Sequence, residues 1–280
     1  MESIKREKKR TRMDVLRSII GYSLFVVAVV YGLGQAPKEA WDINIEWLAP
    51  VVFMVLISVI LQTAQVIVFL RANKVNHEWL IPALFTLRKS VLNIILPFRS
   101  GTLALLPMLM QHYGLKWHDY IRYSITASVI SLLISCVALL TLYSIFSLVL
   151  IMVIGGPIII YVSRQDYWYV NVIKELIVIA GGLYVAYLVA FWCLLNGMGV
   201  DVGLTKAAYY GVAVNTLAQV SITPGNLGVR EALLGALSPY LSFSVSLGII
   251  IGAIFFTVRL LVSCLLLAIL EMMARNKKII

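Results

Sequence analysis

Charge is what this sequence has least of. Only 13% of its 280 residues are Asp, Glu, Lys or Arg, while 61% are hydrophobic. A soluble domain is about half apolar and a quarter charged, so a soluble globular enzyme and a disordered chain are excluded as classes. Carboxylates are scarcer still: 13 Asp and Glu stand against 23 Lys and Arg, for a net charge of +10. The basic residues lie between apolar runs, the pattern of a membrane surface and not of a nucleic-acid footprint. Cysteine is limited to Cys136, Cys193 and Cys264, each inside an apolar run, which excludes a disulfide scaffold and a cysteine metal site. The three histidines, His77, His112 and His118, lack metal-ligand spacing and read as titrating residues at a membrane edge. Paired carboxylates, a Ser-His-Asp order, a P-loop and a Gly-rich dinucleotide turn are all missing, so neither catalysis nor a cofactor or metal is expected.

What is present is long apolar sequence. A spanning helix needs roughly 20 apolar residues. Residues 18–37 and 47–70 carry no charge, and each reads as one span. The run before Gly34-Gln35-Ala36 is long enough to cross, so it reads as a span and not as a cleaved signal peptide. Residues 123–163 form an uncharged stretch of 41. As one helix it would measure about 62 Å, so it reads as two spans, turning near Tyr143–Ser147, with Gly155-Gly156-Pro157 kinking the second. Residues 176–200 and 243–270 complete six spans. The expected organisation is a basic cytoplasmic segment 1–17, one membrane domain 18–271 and a basic cytoplasmic tail 272–280.

Two regions break this pattern. Residues 79–113 are interrupted at Pro97 and Gly101, and the second arm, Leu103 to Tyr113, would be only about 16 Å long. Residues 204–239 are interrupted at Pro224-Gly225-Asn226-Leu227-Gly228, with a short second arm before Pro239. Both read as re-entrant helical hairpins whose non-helical tips must be buried in protein or face water. The expected fold is therefore all-α and polytopic, with about six transmembrane helices and two re-entrant hairpins. The tips share Ile-x-Pro-x-x-x-Gly, at Ile95–Gly101 and Ile222–Gly228. Chance explains a match this short. An inverted repeat with broken helices meeting at mid-membrane explains it too.

Basic residues fix the orientation. With the N-terminus inside, 18 of the 23 Lys and Arg fall on the cytoplasmic side and two, Lys38 and Lys206, outside. The cytoplasmic set includes Arg88 and Lys89, read together as a stripe facing headgroups. Both termini are then cytoplasmic in a multi-pass plasma-membrane protein. The first hairpin enters from the cytoplasm and the second from outside. Trp41, Trp47, Trp79, Trp117 and Trp168 fall near span ends, as an aromatic belt requires.

The remaining basic residues are Arg99, Arg230 and Arg259, inside membrane segments with one carboxylate, Glu231. Intramembrane ionisable residues are costly and usually serve function. Each tip also starts a half-helix whose free N–H groups favour an anion. Ser100 or Thr102 is the expected cap of the first, and Asn226 of the second. The predicted site therefore comprises Arg99, Ser100, Gly101, Asn226, Gly228, Arg230, Glu231 and Arg259, and a phosphate suits it because arginine binds phosphate oxygens in pairs. The structural alternative for these residues is that Arg230 or Arg259 pairs with Glu231 within the bundle and Arg99 snorkels to the surface.

Pro224-Gly225-Asn226-Leu227-Gly228-Val229-Arg230-Glu231, followed by Arg259 in the last helix, resembles the signature of the lysylphosphatidylglycerol synthase transmembrane-region family. The first tip, Asn93-x-x-Leu96-Pro97-Phe98-Arg99-x-Gly101, resembles that family's other motif. The resemblance implies a flippase-like membrane domain that moves lipids between leaflets, with Arg99, Arg230, Glu231 and Arg259 at its polar positions. Two departures stand out: Asn226 where the family commonly has glycine, and Thr102 where it commonly has glutamate after Gly101. Losing that carboxylate favours a plainly anionic cargo, a phospholipid or a polyprenyl-phosphate-linked lipid. The rival readings are a membrane-embedded enzyme acting on a lipid-linked phosphate or sugar, and a non-catalytic subunit organising a lipid-synthesising partner enzyme. Gly155-Gly156 and Gly181-Gly182 permit close helix packing, within one chain or in a homo-oligomer.

Overall fold

The structure, a computed structural model, describes residues 23, 25–27, 29–35, 44–95, 100–143, 167–219 and 223–277, with backbone alone at 95, 100, 139–143 and 167–170. The helices are α1 (Leu48–Ala72), α2 (Leu80–Ile95), α3 (Ser100–Tyr113), α4 (Trp117–Tyr143), α5 (Tyr167–Gly197), α6 (Leu204–Gln219), α7 (Val229–Leu237) and α8 (Val245–Asn276). No strand occurs among the described residues.

Among the described residues, four segments are long and apolar enough to cross a membrane: Ile45–Ala72, Trp117–Ala138, Asn171–Gly197 and Val245–Asn276. They match the expected spans at 47–70, in the first part of 123–163, at 176–200 and at 243–270. Large apolar side chains on their outer faces stay exposed, among them Phe53, Ile60, Val178, Leu261 and Leu265. Helices apolar on all sides, with one side uncovered, are built for a lipid solvent. An apolar helical stretch at Phe25–Gly34 lies within the expected first span, 18–37. The second span expected within 123–163, with Gly155-Gly156-Pro157, lies outside the described residues, as does the basic segment 1–17.

Both interrupted regions form two-armed hairpins. Arms α2 and α3 pack against each other. By helix rise α2 and α6 measure about 24 Å, α3 about 21 Å and α7 about 14 Å, against about 48 Å for α8. The arm α3 starts three residues before the expected Leu103 and contains Pro107. The first hairpin packs with its open end against the C-terminal end of α8, where Leu80, Ala83, Leu84 and Leu87 meet Leu270 and Ala274. The second lies at the other end: a Cβ on Gly248 would sit 2.4 Å from the Leu234 carbonyl, and Gly252 packs against Glu231. The hairpins thus enter from opposite ends of the bundle. The last turn of α2 meets the second tip part-way along α8, where Ile94, Leu227 and Phe256 pack together.

The order of long helix, hairpin and long helix occurs twice, as α1 to α4 and as α5 to α8. The first arm of each hairpin packs on the last long helix of the other set, α2 on α8 and α6 on α4, while α1 packs along α5. Two large apolar cores result among the described residues, beside the two small clusters on α8. One surrounds the second hairpin, with Val51, Phe191, Tyr210 and Phe255 at its centre. The other surrounds the first, with Phe69, Leu105, Leu109 and Leu176. Ion pairs mark the end of the molecule with the second core: Arg71 meets Glu175 at 2.9 Å, and Arg88 meets Glu271 at 3.1 Å. At the other end Trp47 meets Trp192 edge to face, with ring centroids 5.7 Å apart.

Candidate functional site

A polar cavity of about 110 Å³ lies where the end of α2 meets the second tip, between the two apolar cores. Every long helix except α4 reaches it. Its wall includes Gln62 from α1, Lys89 and Asn93 from α2, Thr102 from α3, Asn215 and Gln219 from α6, Arg230 from α7 and Arg259 from α8. Asn226 and Gly225 add the second tip. A second cavity of about 80 Å³ shares Lys89, Thr102, Leu183 and Gln219 with the first and extends along α4 past Ser131, Ser128 and Ser124 to Tyr123 and Tyr120. Cavities of this size and polarity hold water.

The second tip owes its shape to three residues with positive φ in four positions. Gly225, Asn226 and Gly228 have φ of 55°, 57° and 77°. Asparagine is the side chain that best tolerates this left-handed conformation after glycine. Its amide donates to the Leu217 carbonyl at 2.6 Å and ties the tip to the last turn of α6. Gly225 has a second reason to be glycine, because a Cβ there would stand 3.3 Å from the Ile94 backbone of the opposing hairpin.

The expected caps differ from those found. Gly228, not Asn226, occupies the N-cap of α7. The first free amide of that helix is satisfied by the chain itself: Gly228 N–H donates to Glu231 Oε2 at 2.7 Å. In the first hairpin the Thr102 N–H donates to Asn93 Oδ1 at 3.2 Å, so the preceding arm caps one of the first amides of α3. Helix N-termini therefore offer a ligand less here than their sequence positions imply. Side chains carry the positive charge of the site.

Of the eight predicted site residues, the structure brings Asn226, Arg230 and Arg259 onto the cavity wall. Glu231 is fully buried behind them. Arg230 donates to Glu231 Oε1 from Nε at 3.0 Å and also from Nη2. The other carboxylate oxygen holds Gly228, so Glu231 fixes both the arginine and the tip. Arg230 also lies over the Phe256 ring, 5.0 Å from its centroid, a geometry that favours a cation. Arg259 is half-buried and has no ion-pair partner among the described residues, so Glu231 pairs with Arg230 and leaves Arg259 out. Gly101 is a packing residue: a Cβ would fall 2.2 Å from the Lys89 carbonyl oxygen. Ser100 begins α3, and Arg99 lies outside the described residues.

The pairing of Arg88 with Lys89 as one headgroup stripe is corrected. Arg88 reaches Glu271 at the surface, while Lys89, one residue on and about 100° around the helix, lines the cavity. A reading led by charge also passed over Gln62, Asn215 and Gln219, single uncharged polar residues inside apolar helices that line the cavity. Asn215 and Gln219 are spaced one turn apart, as are Ser135 and Ser131 facing them. Asn215 donates to Ser135 Oγ and Gln219 to Ser131 Oγ, each at 2.8 Å. His77 and His112 lie elsewhere, in a shallow surface groove with Glu78. There the Tyr113 hydroxyl is pushed up to about 12 by burial and by the charge of Glu78.

No protein-family model, curated protein or solved structure matches the chain.

Proposed function

We propose that this chain is a lipid flippase or scramblase of the lysylphosphatidylglycerol synthase transmembrane-region type, moving a lipid with a phosphate headgroup between leaflets. One observation carries the reading: a polar cavity lined by Lys89, Arg230 and Arg259 inside a lipid-adapted bundle, where the end of α2 meets the tip of the second hairpin. A headgroup crossing a bilayer needs such a polar station at mid-depth, because unsatisfied polar groups there are expensive. The tails need none and stay in the lipid. Hairpin arms of about 14 to 24 Å are shorter than the roughly 30 Å hydrocarbon core, which supports re-entrant insertion. Six spans, both termini in the cytoplasm and an inverted repeat complete this reading. The twofold order of helices and the reciprocal packing of α2 on α8 and α6 on α4 support the repeat.

In this scheme Arg259 and Lys89 meet the phosphate, Arg230 presents its remaining donors, and Glu231 holds Arg230 in place. Thr102, where the family commonly has a carboxylate, leaves no carboxylate among the described wall residues to attract a cationic headgroup. The test is purified protein in vesicles carrying fluorescent anionic or zwitterionic lipids, with dithionite added outside. Wild-type protein is expected to expose inner-leaflet fluorescence to the quencher, and Arg259→Ala to abolish this while remaining folded. Equal quenching by the variant removes the mechanism. Headgroup turnover in detergent, where no leaflets exist, identifies an enzyme instead.

A further inference from the structure

The two polar cavities join at Lys89, Thr102, Leu183 and Gln219, which line both. From this junction the second cavity runs toward one end of the bundle. On α1 it leaves the level of Gln62 and passes Gln65 to reach Phe69, and on α5 it leaves Tyr187 and passes Ile179 to reach Leu176. Phe69 and Leu176 stand just inside the exposed Arg71–Glu175 ion pair. On α4 the same course is a row of hydroxyls one turn apart, Ser131, Ser128 and Ser124, ending at Tyr123 and Tyr120. By helix rise Tyr120 lies about 16 Å from Ser131. A serine that serves only close packing lies against the neighbouring helix, whereas Ser124 and Ser128 are half-buried and border a void. Apart from Lys89 at the junction, none of the described residues of this wall is charged. Hydroxyls and amides offer a phosphate successive donors without fixed charge to hold it back, the balance that passage requires.

An aromatic cluster closes the far end of this row. The Phe69 ring lies 4.8 Å from that of Tyr123 and meets Tyr120 edge to face at 5.7 Å, and all three residues are buried. The Tyr120 hydroxyl donates to the Thr102 carbonyl at 2.8 Å, and the Tyr123 hydroxyl donates to the Gln65 carbonyl. These bonds tie α4 to the first hairpin and to α1 across the mouth of the cavity. Toward the opposite end of the bundle Phe191 stacks between Tyr210 and Phe255, with centroids 5.9 and 4.8 Å away, and none of the three is more than 1% exposed. We infer that the headgroup reaches the central cavity along the α4 hydroxyls, from the face at which α8 ends, and that Tyr120 and Tyr123 gate this entrance. In the proposed orientation that face is cytoplasmic. The inference rests on reading the central cavity as a headgroup site.

The experiment uses the full chain in vesicles, its native cysteines replaced, and a membrane-impermeant methanethiosulfonate. Ser124→Cys is expected to react from the face that labels Lys277→Cys and not from the face that labels Tyr240→Cys. Tyr120→Phe together with Tyr123→Phe removes both hydrogen bonds, keeps the rings and should raise that rate about tenfold. One-sided labelling of Lys277→Cys and Tyr240→Cys in the same background reports that the tyrosine variant is folded. A bulky maleimide on Ser124→Cys should stop movement of fluorescent phospholipid, whereas the same label on Val129→Cys, an exposed position of α4, should leave it unchanged. Reaction of Ser124→Cys from the opposite face, or no reaction even with both tyrosines replaced, overturns the inference. So does undiminished transport by the chain labelled at Ser124→Cys, a result that leaves the flippase reading intact. Reaction of Ser124→Cys from the expected face alone, in a chain that moves no lipid, keeps the gated entrance and removes the flippase reading.

Discussion

At the scale of single residues, the two arginines on the cavity wall have opposite roles in stability. Arg230 is 3% exposed and depends on Glu231, which is fully buried. Removing one partner of a buried pair leaves an uncompensated charge and costs about 3–5 kcal/mol. Glu231→Gln is therefore expected to lower the thermal unfolding midpoint in detergent sharply. Arg230→Leu together with Glu231→Gln should cost less than Glu231→Gln alone. The double variant buries no charge, and the glutamine oxygen can still accept the Gly228 amide. Arg259 has no such partner among the described residues, so Arg259→Gln should shift stability by no more than about 0.5 kcal/mol. If Glu231→Gln and Arg259→Gln unfold alike, the Arg230–Glu231 pair is not what holds the tip. The cation at each position was legible in the sequence because charge inside apolar sequence is conspicuous. The partner of Glu231 was not, since Arg230 and Arg259 both lay within reach and only the backbone course of the tip decides between them.

At the scale of elements, glycine contacts set how closely the hairpins close. A Cβ on Gly101 would meet the Lys89 carbonyl at 2.2 Å, and one on Gly248 would meet Ser238 Oγ at 2.1 Å. Neither backbone can move without parting two helices, so Gly101→Ala and Gly248→Ala should each cost about 1–3 kcal/mol. Gly181, which the sequence suggested as a packing glycine, faces open space: a Cβ there would meet nothing within 4 Å. Gly181→Ala should be neutral or stabilising by up to about 1 kcal/mol, through helix propensity alone. Comparing the three unfolding midpoints checks the assignment, and equal losses would refute it. The separation of α2 from α3 and the break at Pro224 were plain in the sequence, and so was the shortness of α3 and α7. The caps were not. A cap can come from a neighbouring arm, as Asn93 shows for α3, or from the third residue of the helix, as Glu231 shows for α7, and spacing alone does not choose among these. Lys89 was misread for a related reason: adjacent residues on a helix face directions about 100° apart, so Arg88 at the surface says nothing of where Lys89 points.

At the scale of the molecule, four long helices were readable from apolar run length because lipid imposes that length. The reciprocal packing of the two halves was not, because a membrane helix is apolar on all sides and its pattern does not name its neighbour. What the packing adds is a definite claim about depth. Lys74, before α2, and Lys277, after α8, fall at one end of the bundle. Lys206, in the first turn of α6, and Tyr240, between α7 and α8, fall at the other. Cysteines placed at these four positions, in a chain whose native cysteines are replaced, should react with a membrane-impermeant maleimide from opposite faces: 206 and 240 from outside, 74 and 277 from inside. These four do not separate a re-entrant second hairpin from one whose arms both cross, because either brings 206 and 240 to the same face. Leu227→Cys does separate them. In a crossing hairpin position 227 is a loop on the inner face and should label there as fast as position 277. In the re-entrant fold it is 3% exposed and packed against Ile94 and against Phe256 of α8, so it should react slowly from both faces. Fast labelling from the inner face would place the tip outside the bilayer, and with it would go the mid-depth position on which the headgroup reading depends.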